Sequence, residues 1–249
     1  ATSTPHDLFG SAPNIQAKLG AYNAVAFDLT AACSGFLFAL ITACQFLKGG
    51  SHKRAIVIGA DQLSSYVDWE DRRSCILFGD GAGAVAIEAI NEFDNLIGFN
   101  IRTDGTRGSF LNLPSKDNKD SIIDSIDYSR GGFSTIHMNG QEVYKFAVRE
   151  VPLIIDELFK KLNFNSTNVD WLLLHQANQR ILDSVGERLK FPKDKILSNL
   201  QNYGNTSAGT IPLMLDEAIR NKKIKQNDII ATSGFGAGLS WGSALIRWG

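Results

Sequence analysis

Cysteine, charge imbalance and long apolar runs are what this sequence has least of. Its three cysteines, Cys33, Cys44 and Cys75, are an odd number with no Cys-x-x-Cys spacing, which excludes a disulfide framework or a zinc knuckle and makes a reducing compartment the default. Metal-ligand spacing is absent. Twenty-five lysines and arginines nearly balance 26 aspartates and glutamates, a formal net charge of −1. That excludes a protein working mainly by coating nucleic acid or an anionic membrane. The most apolar stretch, Phe36 to Leu47, is broken by Thr42 and Gln45 and is far too short to cross a bilayer. The opening, Ala1-Thr-Ser-Thr-Pro-His-Asp, lacks the basic start and apolar run of a secretory signal. With no initiator Met, the chain is expected to begin inside a longer gene product.

What is present is 249 residues, 44% apolar and 20% charged, with 23 glycines: enough for one large domain, or two halves sharing a core. Short β-branched runs alternate with longer helical stretches, the pattern of an α/β fold. Strands are expected at Val25 to Leu29, Ala55 to Gly59, Ala84 to Ile87, Trp171 to Leu174, Asp228 to Thr232 and Ser243 to Ile246. After Cys33, residues Phe36, Leu37, Leu40, Ile41, Cys44 and Leu47 build one helical stripe, stopped by Gly49-Gly50. A second helix is expected from Gly140 to Lys161, with Asn139 as its cap and Glu142 completing a capping box; Pro152 lies inside it and should kink it or reset its hydrogen bonding. Further helices are expected from Asn178 to Leu189 and from Ala208 to Arg220, with Pro212 in the opening turn.

Two segments look like faded copies, each a strand, a glycine-rich turn and a strand: Cys75 to Glu88 and Ser233 to Ile246. An internal duplication follows, with its join near Glu88 to Gly98. Between Asp104 and Arg130 the chain turns polar and patternless, which reads as a surface loop or flap.

Chemistry has few places to sit. Cys33 joins the end of an apolar strand to a helix start, where the helix dipole lowers a thiol pKa and raises the thiolate fraction; a buried small apolar cysteine is the other reading. Cys44 and Cys75 read as core. His175 ends the run Trp171-Leu-Leu-Leu-His175, at the carboxyl end of a strand, where open α/β folds place ligands; a satisfied core or capping histidine is the alternative. His6, His52 and His137 lie in polar or loop sequence. Asn205 sits in a glycine-bounded turn, which capping alone would explain. Together, Cys33, His175 and Asn205 can supply a nucleophile and two polar groups for a carbonyl oxygen gaining charge. Gly234-Phe-Gly-Ala-Gly238 is a candidate oxyanion hole or simply a tight turn. Gly79-Asp-Gly81-Ala-Gly-Ala84 matches the dinucleotide fingerprint in letters, but strand rather than helix pattern follows. Two Asn-x-Ser/Thr sequons, at Asn165 and Asn205, carry no meaning without a secretory signal. A papain-like protease also uses Cys, His and Asn, but the duplicated α/β pattern and the motif order speak against it.

Ala31-Ala-Cys33-Ser-Gly-Phe36, Phe78-Gly-Asp-Gly-Ala-Gly83, His175-Gln-Ala-Asn178, Tyr203-Gly-Asn205-Thr-Ser207 and Trp241-Gly-Ser-Ala-Leu245 occur in that order. In them the sequence resembles β-ketoacyl-acyl-carrier-protein synthase III, the initiating condensing enzyme of type II fatty acid synthesis, in the thiolase superfamily, over essentially the whole chain. Elongating condensing enzymes carry a second histidine where Asn205 stands. The resemblance implies a thiolase-like fold, two pseudo-symmetric α/β halves (1–90 and 91–249) in an α-β-α-β-α layering. Members start well before Ala1 with a strand, a helix and most of another strand, so the first half is expected to be incomplete. The part expected to be missing would carry an aromatic and a basic residue against the adenine end of coenzyme A.

By the same resemblance, Cys33 is acylated by a short acyl-CoA, usually acetyl-CoA, and receives malonyl-acyl-carrier protein. His175 and Asn205 hold the malonyl thioester carbonyl as carbon dioxide leaves, and the product is a 3-oxoacyl-acyl-carrier protein. The N–H groups of Cys33 and Ala237 align with the oxyanion hole. Arg72 aligns with the residue against adenine, though an Arg beside acidic residues is ordinarily a solvated face; Gly140 and Asn178 lie near the pantetheine arm. Lys145 and Arg180 match basic positions toward the acidic carrier protein, or are plain helix-surface charges. Phe78 belongs to the acyl pocket, and Phe9 resembles the aromatic that enters the neighbouring subunit's pocket, which implies a homodimer; a generic reading makes Phe9 a core aromatic. No cofactor is permanently bound on this reading, coenzyme A thioester is substrate, neither nucleic acid nor membrane is a partner, and a bacterial cytoplasm or plastid stroma fits. Another Cys-His-Asn condensing enzyme, or a catalytically silent truncated fragment, are the competing readings.

Overall fold

The computed structural model describes residues 1–3, 10–90, 94–116, 118–123 and 126–249. Its helices are α1 (Ala12–Lys18), α2 (Gly35–Lys48), α3 (Gly140–Leu162), α4 (Gln179–Arg188), α5 (Leu200–Tyr203) and α6 (Thr210–Arg220). Its strands are β1 (Arg54–Gln62), β2 (Asp80–Glu88), β3 (Leu96–Thr103), β4 (Leu111–Asn112), β5 (Asn118–Ile123), β6 (Ile126–Arg130), β7 (His137–Met138), β8 (Trp171–Leu174), β9 (Ile229–Gly236) and β10 (Ser240–Arg247).

β1 and β2 pair antiparallel, Ile58 opposite Ala84. A second sheet runs in the order β3-β10-β9-β8, with only β8 and β9 parallel. Between the sheets lie α2 and α6, whose Phe36, Leu37, Leu40, Ile211 and Met214 pack against Val57 on one side and Leu173, Ile230 and Ala244 on the other. Burying each of the large side chains contributes about 1.5–3 kcal/mol, so this helix layer fastens the sheets together. On the far face of the second sheet, α3 and α4 pack through Phe146, Ile154, Leu158, Leu182 and Val185. β9, covered on both faces, is buried along its whole length, as a strand between two helix layers must be. β2 alternates exposed and half-buried positions instead, because its one covered face takes every second side chain. Four of the five expected layers are therefore stacked among the described residues.

A duplicated unit is visible as a 3-10 turn, a helix and two antiparallel strands: Ala32–Ser34, α2, β1 and β2, then Ser207–Gly209, α6, β9 and β10. Each 3-10 turn opens on a left-handed residue, Ala32 (φ 46°) and Ser207 (φ 52°).

Several expectations need correcting. Cys75 to Phe78 is a run of turns with one isolated bridge, so the strand–turn–strand pattern holds only for the second copy. Cys44 and Cys75 are half-buried rather than core. Val25 to Leu29 forms no strand, because Thr2 N donating to Leu29 O does not make a ladder, and Val25 and Phe27 stay exposed. β3 begins at Leu96, inside the stretch read as the join. The polar segment after Asp104 holds the β5–β6 hairpin rather than loop alone.

The long helix α3 does run through Pro152. Proline has no N–H for the carbonyl four residues back, and Arg188 Nη1 on α4 donates to that orphan, Val148 O, at 2.8 Å. At its start Asn139 Oδ1 accepts the Glu142 N–H. The reciprocal half of the capping box is missing, since Glu142 pairs with Lys145 and the Asn139 N–H goes to Phe110 O.

Candidate active site

Three chain segments converge on one cavity of about 90 Å³, lined by Cys33, His175 and Asn205 together with Phe78, Gly140 and Asn178. Each of the three polar groups is held by backbone geometry. Cys33 sits in the 3-10 turn that feeds α2. This turn packs so closely on β9 that a Cβ on Gly236 would stand 2.6 Å from Cys33 N and 2.9 Å from Ala31 O, and only glycine permits that approach. His175 follows β8, and its N–H extends the parallel ladder by donating to Ser233 O at 2.8 Å. The next residue, the fully buried Gln176, ties the loop down by donating to Leu174 O and Leu197 O while accepting from Asn199 N. Asn205 is joined to the Phe78 segment by two backbone bonds, Asn205 N to Leu77 O and Gly79 N to Asn205 O. Gly79 is required there, since a Cβ would fall 2.1 Å from Tyr203 O.

The electrostatics follow from burial. His175 is 2% exposed, and desolvation pushes its pKa down to about 3, so the imidazole is neutral at physiological pH. Its Nδ1 lies 2.7 Å from Thr210 Oγ1, and Phe235 stands edge-on to the ring at 5.3 Å. Asn205 Oδ1 accepts the Ser207 N–H at 2.8 Å, which leaves its amide NH₂ as the donor end. Burial pushes the Cys33 thiol up to about 12; the Ser207 hydroxyl, 3.2 Å from Sγ, works the other way by donating to the thiolate, and the Asp61 charge raises the value further. The expected lowering by the helix dipole is therefore overturned, because desolvation of the sulfur outweighs every favourable contact.

The remaining sequence candidates divide. Phe78, Gly140 and Asn178 line the cavity, and Asn178 also caps α4 by accepting the Arg180 N–H. Arg180 lies over the Tyr144 ring, 5.4 Å from its centroid, and Tyr144 is itself a wall of the cavity. Lys145, next in the chain, is exposed and paired with Glu142. Arg72 is exposed beside the Asp71–Arg73 pair, and Ala237 packs half-buried against the α3 side of the core; neither lines the cavity. Phe9 and His6 lie outside the described residues, and His52 and His137 are exposed. The sequence reading missed the apolar walls Leu111, Met138, Val143 and Phe235, and above all Ser207, two residues beyond Asn205 in the same turn.

A thiol beside a neutral imidazole and an amide NH₂ in one apolar cavity can accept an acyl group and, with the ring proton on Nε2, stabilise an oxyanion. Comparison with known proteins agrees. The family model described as 3-oxoacyl-[acyl-carrier-protein] synthase III matches residues 27–105, and that of its C-terminal part matches 159–248. The chain is 84% identical over 249 residues to the beta-ketoacyl-[acyl-carrier-protein] synthase III of Prochlorococcus marinus (strain MIT 9515), covering 100% of this chain and 74% of that protein. To the same enzyme of Synechococcus sp. (strain WH7803) it is 64% identical over 248 residues, covering 100% and 73%. The crystal structure of 3-oxoacyl-[acyl-carrier-protein] synthase III from Aquifex aeolicus VF5 superposes with a TM-score of 0.89 at 39% identity, over 99% of this chain and 75% of that one. The chain belongs to the 3-oxoacyl-acyl-carrier-protein synthase III family of acyl-transferring condensing enzymes.

Proposed function

We propose that the protein joins a short acyl group, acetyl from acetyl-CoA, to malonyl-acyl-carrier protein by decarboxylative Claisen condensation. Cys33 Sγ attacks the acyl thioester carbonyl, the carbon–sulfur bond to coenzyme A breaks, and the acyl group stays on Cys33. Malonyl-acyl-carrier protein then loses carbon dioxide. The electron pair of the broken carbon–carbon bond passes into the thioester as an enolate, whose carbon attacks the acyl-Cys33 carbonyl and displaces the sulfur. The product is a 3-oxoacyl-acyl-carrier protein.

His175 and Asn205 hold the enolate oxygen as neutral donors, worth most in a cavity with little water. For His175 this requires the proton on Nε2. The Thr210 hydroxyl lies 2.9 Å from Ser207 O and 2.7 Å from Nδ1; turning its one proton from that carbonyl, which keeps the Thr210 backbone N–H, to Nδ1 leaves the ring proton at Nε2. The N–H groups of Cys33 and Ala237 take the other oxyanion. Gly140 and Asn178 border the pantetheine arm, Arg72 the adenine, and Phe78 the acyl chain; Lys145 and Arg180 meet the acidic carrier protein.

On this reading 1–90 and 91–249 are the two thiolase-like halves, the working form is a cytoplasmic homodimer to which Phe9 contributes, and no cofactor is permanently bound. Among the described residues no helix is long and apolar enough to cross a membrane.

The observation that carries the reading is the meeting of Cys33, His175 and Asn205 in one cavity. Labelled acetyl-CoA should leave its acetyl group on the Cys33 peptide, and the Cys33→Ala protein should take none; label persisting in that variant overturns the assignment. Supplying malonyl-CoA in place of malonyl-acyl-carrier protein should abolish condensation, and turnover with it would move the protein to another condensing class.

A further inference from the structure

The mechanism so far leaves open where the Cys33 proton goes, and it leaves one buried carboxylate unused. Asp61 is the last residue but one of β1, the strand beside α2, and is 6% exposed. Four donors converge on it: Ser3 N (2.7 Å) and Thr2 Oγ1 (3.1 Å) on Oδ1, Ser3 Oγ (2.9 Å) and Ala208 N (2.9 Å) on Oδ2. Ser3 Oγ lies 2.7 Å from Ser207 Oγ, and Ser207 Oγ lies 3.2 Å from Cys33 Sγ. The four groups form one unbroken line from thiol to carboxylate, with Cys33, Ser207 and Asp61 buried and Ser3 half-buried.

We infer that Asp61 is the proton acceptor for Cys33, reached through the hydroxyls of Ser207 and Ser3. The inference rests on the proposed acyl transfer to Cys33. Direction is set by counting protons. A carboxylate only accepts, so Ser3 spends its one hydroxyl proton on Oδ2 and accepts from Ser207; the Ser207 proton, which points to Sγ in this structure, turns to Ser3, and Ser207 then accepts from the Cys33 S–H. When Sγ attacks the acyl carbonyl, each proton moves one place along: sulfur to Ser207, Ser207 to Ser3, Ser3 to Asp61. Every bond of the line then points the other way, with the Ser207 hydroxyl donating toward sulfur. As the bond to coenzyme A breaks, the same line returns the proton to the departing thiolate, and Asp61 is a carboxylate again. No other reactant is needed. Asp61 and Ser3 act through Ser207, which alone touches the sulfur. A relay of this kind suits a thiol that burial keeps protonated.

In sequence, Asp61 is a charged residue closing the apolar run Ile56-Val-Ile-Gly-Ala60, where a carboxylate needs a reason to be.

Three rates on parent, Ser3→Ala and Ser3→Thr protein test the relay: acylation by labelled acetyl-CoA, alkylation of Cys33 by iodoacetamide, and decarboxylation of malonyl-acyl-carrier protein. Losing a positioned base costs about 10²- to 10⁴-fold. In Ser3→Ala, acylation and alkylation should fall by at least about tenfold more than decarboxylation, and Ser3→Thr, which keeps the hydroxyl, should restore them. Acylation and alkylation at the parent rate in Ser3→Ala overturn the relay, as does an equal loss of all three rates, which would mark Ser3 as a packing residue. If the parent alkylates in a Ser3-dependent way yet takes no acetyl, the substrate assignment fails and the relay stands.

Discussion

Adding one methyl group at Gly236 should separate positioning of the sulfur from everything else the site does. A Cβ there meets Cys33 N at 2.6 Å, Ala31 O at 2.9 Å and Ser34 N at 3.0 Å. All three are backbone atoms, so no side chain can swing aside. To reach the 3.4 Å of ordinary contact, the Cys33 nitrogen must withdraw by about 0.8 Å. Neither partner gives easily: β9 is buried throughout, and the 3-10 turn is braced by α2. Overpacking of this kind costs about 1–3 kcal/mol of stability, and a displacement near 1 Å costs on the order of 10²-fold in rate. Gly236→Ala should therefore lose about 1–3 kcal/mol in urea unfolding, while its Cys33 acylation, followed by rapid quench with labelled acetyl-CoA, slows by about 10- to 100-fold. Gly105→Ala, whose added Cβ meets nothing within 4 Å, is the control and should match the parent. Parent-like acylation in Gly236→Ala would refute the claim that the turn's seat on β9 aims the sulfur.

Two further outcomes follow from His175. The unfolded imidazole binds its proton near 6.5 and the folded one only near 3. In between, the unfolded state holds more protons, so stability rises with pH and is lost as pH falls from about 6.5 toward 3, by on the order of 4 kcal/mol over the full span; urea titrations across that range should show the slope, and His175→Gln should flatten it. Thr210→Val removes the hydroxyl 2.7 Å from Nδ1, the group proposed to hold the ring proton on Nε2, so malonyl decarboxylation should fall by about tenfold or more with Cys33 acylation little changed; equal losses in both would assign Thr210 to packing.

Much of this was written in local pattern. The α2 stripe, the Asn139 cap and strand β8 could be read directly, because periodicity, capping chemistry and short apolar runs are local signals. What escaped depends on distant partners. β3 carries Asn100 and Arg102 among its apolar residues and becomes a strand by pairing with β10. Cys75 to Phe78 has strand-like residues but lies against the Asn205 turn, with Phe78 making a single bridge. At the site, the order of Cys33, His175 and Asn205 was legible, while the sign of the thiol's shift was not: a helix start argues for lowering, and only the packed structure reveals how fully the sulfur is desolvated. Ser3 and Ser207 are unremarkable in sequence and far along the chain from Asp61, 58 residues for Ser3 and 147 for Ala208, the neighbour of Ser207; folding alone brings them into line.

The central claim is that one cavity divides its labour, Cys33 carrying the acyl group while His175 and Asn205 serve the enolate. Measuring the two half-reactions separately in Cys33→Ala, His175→Ala and Asn205→Ala proteins tests it most directly. The first should lose acyl transfer and still release carbon dioxide from malonyl-acyl-carrier protein, whereas the other two should accept acetyl on Cys33 and release none. Decarboxylation at the parent rate in both His175→Ala and Asn205→Ala would contradict it.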